Sequence, residues 1–182
     1  MKKIILSAAI LAITSSAFAQ KYMTRTGKIT FFSSTPVENI EAINNDVASV
    51  IDGGKGDVMF QVPIKSFHFE KQLMQEHFNE NYMESDKYPK ADFRGKITNL
   101  SSVTLAKDGT YQAKVSGKLT MHGVTKDVAA TGTITVKGGI VTVASKFVVR
   151  PADYGIKIPS VVASKIADKI EVTVNSQLNP VK

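Results

Sequence analysis

The 182-residue chain contains no cysteine. That absence removes disulfide scaffolds, Cys-ligated zinc and iron–sulfur sites, thiol nucleophiles and a lipid-modified cysteine at a bacterial lipobox. Histidine is scarce as well, with 3 residues in all, so any imidazole chemistry must use His68, His77 or His122. No G-x-S-x-G elbow occurs, and a serine hydrolase has no anchor without it. Asp52-Gly-Gly-Lys-Gly-Asp57 is glycine-rich but lacks the spacing of a phosphate loop, and it opens a strand instead of a helix. Beyond the N-terminus no apolar stretch approaches the ~20 residues of a membrane span, and lipidation signals are missing, so no stable membrane anchor is expected. A basic stripe is missing too. The 23 Lys and Arg against 16 Asp and Glu, a formal charge of +7, are dispersed along the chain, which argues against nucleic acid as a partner.

What is present begins with a segment outside the fold. Lys2 and Lys3 form a positive n-region, Ile4 to Ile13 an apolar stretch too short to span a bilayer, and Ala17-Phe18-Ala19 an A-x-A cleavage signal. Together they read as a cleavable signal peptide over residues 1–19. The remaining residues 20–182 are expected to form a single domain. In a diderm bacterium the product would be periplasmic, or else secreted.

From about Thr24 to Ile64 and from Ala91 to Leu178 the apolar period is two. Tyr111, Ala113, Val115, Gly117, Leu119 and Met121 share one face, and Gln112, Lys114, Ser116, Lys118, Thr120 and His122 the other. That alternation describes an antiparallel strand with one wet face. The same pattern over Val58–Ile64, Ala91–Ile97, Val128–Val136, Val141–Val149 and Ile170–Val174, with segments near Thr26–Phe32 and Ile40–Ile51, gives eight strands. Asp52 to Gly56, Asp108-Gly109, His122-Gly123 and Gly138-Gly139 supply turn residues between them. Eight such strands can form a sandwich or a barrel; closure leaves no exposed edge, and Gly95, Gly117 and Gly132 suit bent strands, so an all-β antiparallel barrel is expected. Lys71–Glu84 breaks the pattern. Its Leu73, Met74, Phe78 and Tyr82 draw a helical stripe that Tyr88-Pro89 ends. A second short helix is expected from Ser160 to Asp168, with Val161, Val162 and Ile166 facing inward.

Polar candidates for chemistry are weak. His77 and Glu80, with Glu76 and Glu84 nearby, lie on one helical segment, but a zinc site needs three or four converging ligands. A solvated helix face explains them better, and no metal is expected. His122, beside Gly123, reads as a turn or capping residue. Asn99-Leu100-Ser101 matches a glycosylation acceptor that matters only in a eukaryotic secretory route. Bulky apolar residues far outnumber such groups, and most must be core. Eight-stranded barrels, however, are either just filled by side chains or hold one small ligand.

The run Gly117-Lys118-Leu119-Thr120-Met121-His122-Gly123-Val124-Thr125-Lys126 resembles the G-x-L-T-x-H-G-V-T-K signature of the YceI-like family of exported bacterial proteins. Before it, Phe67, Phe69, the amphipathic helix and Tyr88-Pro89-x-x-x-Phe93 are similar to that family's helix and Y-P-x-x-x-F strand. After it, Phe147 with Asp153-Tyr154-Gly155-Ile156 is similar to its F…D-[FY]-G-I segment. The resemblance covers about Val58 to Val174. It implies a lipocalin-like eight-stranded barrel whose lumen, in some members, holds a long isoprenoid or fatty-acid-like chain, in a family not established as enzymatic. Its motif residues look structural. The family's opening aspartate and histidine-serine pair are missing from Thr24–Ser34, so this side of the lumen is not given by the resemblance.

These readings converge on a non-catalytic exported carrier for a long-chain apolar lipid: a polyisoprenoid, an isoprenoid quinone or a fatty-acid-like molecule. Phe60, Ile64, Phe67, Met74, Phe78, Phe93, Tyr111, Leu119, Met121, Ile134 and Phe147 are the expected lumen or lid residues. No cofactor is expected, and a homodimer is left open. The competing expectation is a packed barrel that acts as a stress-responsive, partner-binding module through loops such as Asp52–Asp57 or Asp153–Ile158.

Overall fold

The computed structural model describes residues 20–181, so the signal peptide over residues 1–19 lies outside the described residues. The strands, in chain order, are β1 (Lys21–Ser34), β2 (Asn39–Asp52), β3 (Asp57–Pro63), a two-residue β4 (His68–Phe69), β5 (Lys90–Ile97), β6 (Gly109–Met121), β7 (Val124–Lys137), β8 (Ile140–Val149) and β9 (Ile170–Pro180). All pairings are antiparallel. β1 pairs with both β2 and β9, so the order β1-β2-β3-β5-β6-β7-β8-β9 closes on itself. β4 adds only a short pairing to β2, leaving a closed eight-stranded barrel.

The period-two pattern places the inner face. Along β6, Ala113 is buried while Gln112 and Lys114 are exposed, and the alternation runs from Thr110 to Leu119. At the β6–β7 turn His122 and Gly123 have φ of 51° and 75°, and Gly138 and Gly139 at the β7–β8 turn have 58° and 79°. Positive φ at both central residues is what a two-residue hairpin turn demands. Gly117 lies opposite Gly95 in register. A Cβ at Gly117 would collide with the Arg94 carbonyl oxygen and the Gly95 Cα, so only glycine permits this close approach.

The interior divides into two clusters. One is a filled core of Tyr22, Ile51, Val58, Ile97, Ile134, Val141 and Leu178. The loop carrying Val103 and Leu105 closes that end, and the Tyr22 hydroxyl donates to the Leu105 carbonyl at 2.9 Å. Burial holds the Tyr22 phenol above its ordinary pKa, which keeps it a donor. The second cluster, built on Ile29, Val47, Val62, Phe67, Tyr154 and Val174, surrounds the opposite end. Between the two, inward positions on β1, β2 and β9 are Thr24, Ser49 and Ser176, small and buried.

The helical region differs from a single α-helix over Lys71–Glu84. An α-helix (α1) spans Gln72–His77 and continues as a π turn, Phe78–Tyr82, in which the Met83 amide donates to the Phe78 carbonyl at 2.8 Å. The Asn79 amide caps the Gln75 carbonyl at 2.8 Å. Widening the turn brings both Tyr82 and Met83 to the face begun by Leu73, Met74 and Phe78. The expected helix over Ser160–Asp168 is corrected to one 3-10 turn, Ser160–Val162. The Ala167 amide leaves any helical pattern to donate to Ser33 Oγ at 2.9 Å, and Val161 points out, 84% exposed, while Val162 and Ile166 face the interior.

Candidate functional site

At the second end the barrel encloses a cavity of about 480 Å³. Its position follows from where β2 and β3 separate. These strands pair only over Ala48–Ile51 and Val58–Gln61; beyond that the Asn44 amide, fully buried, donates to the Pro63 carbonyl at 2.7 Å and its Oδ1 accepts from the Asp46 amide at 2.9 Å. Asn44 thereby satisfies backbone groups that the departing strand leaves unpaired. β4 takes up the free edge of β2 at Ala42 and Ile43, while α1 with its π turn and the Pro151–Ile170 segment supply lining residues at the mouth.

Four phenylalanines form the wall under the helix. Phe31 on β1 lies with ring centroids 5.3, 5.6 and 5.4 Å from Phe67, Phe69 and Phe78. Phe78 lies 5.5 Å from Phe67 and 5.1 Å from Phe69. Tilted and edge-on pairs at these separations fix one another's orientation. β6 contributes Leu119 and Met121, β8 contributes Phe147 and Val149, and β9 contributes Val172. The charged residues of the lining are Glu38, Lys71 and Lys165, and Lys71 Nζ lies 3.0 Å from Glu38 Oε1. An apolar wall with little polar relief favours an apolar occupant, because a polar group buried there without a partner costs about 1–3 kcal/mol.

The structure brings Ile64, Phe67, Met74, Phe78, Leu119, Met121 and Phe147 together around this cavity. It places Ile134 in the filled core, packs Phe93 and Tyr111 against that core, and sets Phe60 between the two clusters. The separating feature is height in the barrel: all four face inward, but at the closed end or at its border. Phe31, Phe69, Tyr82 and Ile156 line the cavity although they are not among the lumen residues expected from the sequence. For Phe31 a signal exists, since it shares parity with Ile29 and Ser33 on β1. Ile156 is marked only by the D-[FY]-G-I motif, which by itself does not say that the side chain enters the lumen.

The three motif segments each give residues to the cavity lining, and their polar residues meet beside it. His122 Nδ1 donates to the Tyr154 carbonyl at 3.1 Å, Nε2 lies 2.7 Å from Glu84 Oε2, and the ring packs 4.6 Å from Tyr88. The Ile64 amide donates to the Pro89 carbonyl at 2.9 Å. His122, Glu84, Tyr88 and Tyr154 tie the β6–β7 turn to the end of the helical segment and to the loop after β8, beside the cavity and not among its lining residues. Burial, with the Asp153 charge adding to it, raises the pKa of the Tyr154 phenol. Among the described residues no three His, Asp or Glu side chains converge, and His77 borders the cavity.

The sequence matches the model of the YceI-like domain over residues 12–178. No curated protein matches it. Among solved structures, a polyisoprenoid binding domain from Saccharophagus degradans, implicated in plant cell wall breakdown, is 16% identical with a TM-score of 0.77 over 88% of this chain and 98% of its own. BcnA of Burkholderia cenocepacia is 16% identical with a TM-score of 0.68, covering 84% of this chain and 95% of its own. A YCEI protein of Campylobacter jejuni is 17% identical with a TM-score of 0.56, covering 100% and 99%. At such identities the likeness is one of fold.

Proposed function

Because this chain belongs to the YceI-like family, and because one end of its barrel is hollow, we propose that it is a non-catalytic carrier that holds a long-chain apolar lipid in the lumen. The observation that carries the reading is the apolar cavity of about 480 Å³ with its four-phenylalanine wall, open to solvent between α1 and the Pro151–Ile170 segment. The cargo is an isoprenoid, an isoprenoid quinone or an acyl chain, in keeping with the polyisoprenoid binding ascribed to the Saccharophagus degradans domain. Burial of ten methylenes would stabilise the complex by about 8 kcal/mol before ordering costs. The N-terminal sequence supports export, so the carrier would work in the periplasm or outside the cell.

Carriage needs no reacting group. The cavity's polar side chains are at hand to meet a headgroup at the mouth, whereas the wall offers shape and apolar surface. Native mass spectrometry of mature protein purified without detergent, followed by solvent extraction, tests the proposal. The expected result is a discrete adduct that extracts as an isoprenoid or acyl chain. A clean apo mass, still clean after incubation with isoprenoid quinone and fatty acids, would overturn it and favour a partner-binding barrel.

A further inference from the structure

The most exposed large apolar side chains are not scattered. Val161, Leu73 and Val37 are 84%, 62% and 61% exposed, ahead of Val148 at 57%. They come from three separate elements: the 3-10 turn before β9, α1, and the β1–β2 hairpin tip. All three border the cavity mouth. Leu73 lines it, Val161 adjoins the lining Val162, and Val37 adjoins the lining Glu38. Two contacts hold the rim together, Lys71 to Glu38 at 3.0 Å and the Ala167 amide to Ser33 Oγ at 2.9 Å. Water gains nothing from such a rim, and the fold has no use for it.

Charge identifies its partner. On the loop side of the mouth, Lys157, Lys165 and Lys169 are exposed and join none of the ion pairs among the described residues. The same Ile156–Ile170 stretch holds one acid, Asp168. Glu38, the acid in the cavity lining, is neutralised by Lys71. Apolar tips backed by unpaired lysines match the interface of a bilayer that carries anionic headgroups, where the tips enter the acyl boundary and each lysine near the surface gains attraction. We propose that the cavity mouth docks on an anionic phospholipid bilayer, so that a tail passes between membrane and lumen without crossing water. The purpose of this docking rests on the carrier reading, but the docking itself can be read on empty protein.

The experiment is flotation of the mature protein with vesicles of phosphatidylcholine and phosphatidylglycerol, and with phosphatidylcholine alone. Uptake of an isoprenoid quinone from the same vesicles is followed in parallel. Wild-type protein should float with the anionic vesicles and detach in high salt. Val37→Glu combined with Val161→Glu, at exposed positions outside the cavity lining, should bind about tenfold or more weaker per side chain. That variant should also acquire quinone more slowly, yet retain quinone loaded from detergent. Met59→Glu, 40% exposed beside the filled core, should behave as wild type. Lys165→Gln should weaken vesicle binding about fivefold. The proposal fails if wild-type protein does not float, if it floats equally on neutral vesicles, or if the double variant docks unchanged. Uptake that requires a second protein would assign the rim to a protein acceptor and overturn it as well. Failure to retain detergent-loaded quinone would count against the carrier reading alone.

Discussion

Leu119→Asp places a carboxyl on the inner wall of the cavity, two residues from Met121 and opposite Phe93 in register. Leu119 is half-buried, and in the empty barrel water entering the mouth can solvate the new group, so the fold should survive. A lipid tail in the lumen would displace that water. Burying an ionised carboxylate costs several kcal/mol, but the group can instead take up a proton. From an ordinary aspartate pKa of ~3.9, neutralisation at pH 7 costs 1.36 kcal/mol per unit, or about 4 kcal/mol. That figure is the ceiling on the penalty, and it corresponds to a roughly 10³-fold weaker complex. The direction with pH follows. Because the bound state favours the protonated form, the penalty should shrink about tenfold per unit of acidification and nearly vanish at pH ~4. Titration with an isoprenoid quinone can be read by quenching of tyrosine fluorescence, since the chain has no tryptophan and Tyr82 lines the cavity. Val148→Asp, on the outer face beside Phe147, is the control and should bind as wild type. A folded Leu119→Asp protein with wild-type affinity at pH 7, or with a loss that does not change down to pH ~4, would refute the placement of this residue against the cargo.

His122→Asn keeps a residue that tolerates φ of 51° but cannot span both the Tyr154 carbonyl and Glu84; it should lower stability by about 1–2 kcal/mol in urea unfolding and speed amide exchange over residues 78–84. The Ser49 hydroxyl is buried with no hydrogen-bond partner, so Ser49→Ala should raise stability by about 1 kcal/mol; a loss of that size would instead reveal an ordered water paired to it. Asp52 Oδ1 accepts from the Lys55 and Gly54 amides at 2.9 and 3.0 Å, and the Lys55 amide foremost holds its pKa below the ordinary value against the opposing effect of burial, helped by Gly54 and by the Lys55 and Lys21 charges. A lowered folded-state pKa means that Asp52 contributes stability above its unfolded pKa, and that this is lost as pH falls through the folded value. Asp52→Asn should therefore flatten the acid limb of the stability curve; an unchanged limb would assign it to other carboxylates.

Much of the barrel was legible in the chain because its signal is local. Each strand carries its own alternation, so Tyr111 to Met121 declares an inner and an outer face wherever the strand is placed. The turns were legible for the same reason, since the glycines of His122-Gly123 and Gly138-Gly139 reach the positive φ of a two-residue hairpin without steric cost. The helix was visible as a stripe but not as a helix with a wide turn, because an apolar stripe does not distinguish a bond from Met83 to Phe78 from one to Asn79.

The sequence by itself determined which strand side chains face inward, where the hairpins turn and which family's motifs the chain carries, but not the direction of Val161, which points out. Height along the barrel is a different quantity. Leu119 and Ile134 share the inner face, yet one borders a cavity and the other is packed, because strand register and the belt of Thr24, Ser49 and Ser176 set which end is filled. Phe31 on β1, Phe67 and Phe69 on the stretch that enters β4, and Phe78 on the π turn come from three parts of the chain, and only barrel closure brings Phe31 against the other rings. Alternation has a period of two and no memory beyond one strand, so the hollow end, its aromatic wall and its apolar rim were decided by tertiary structure alone.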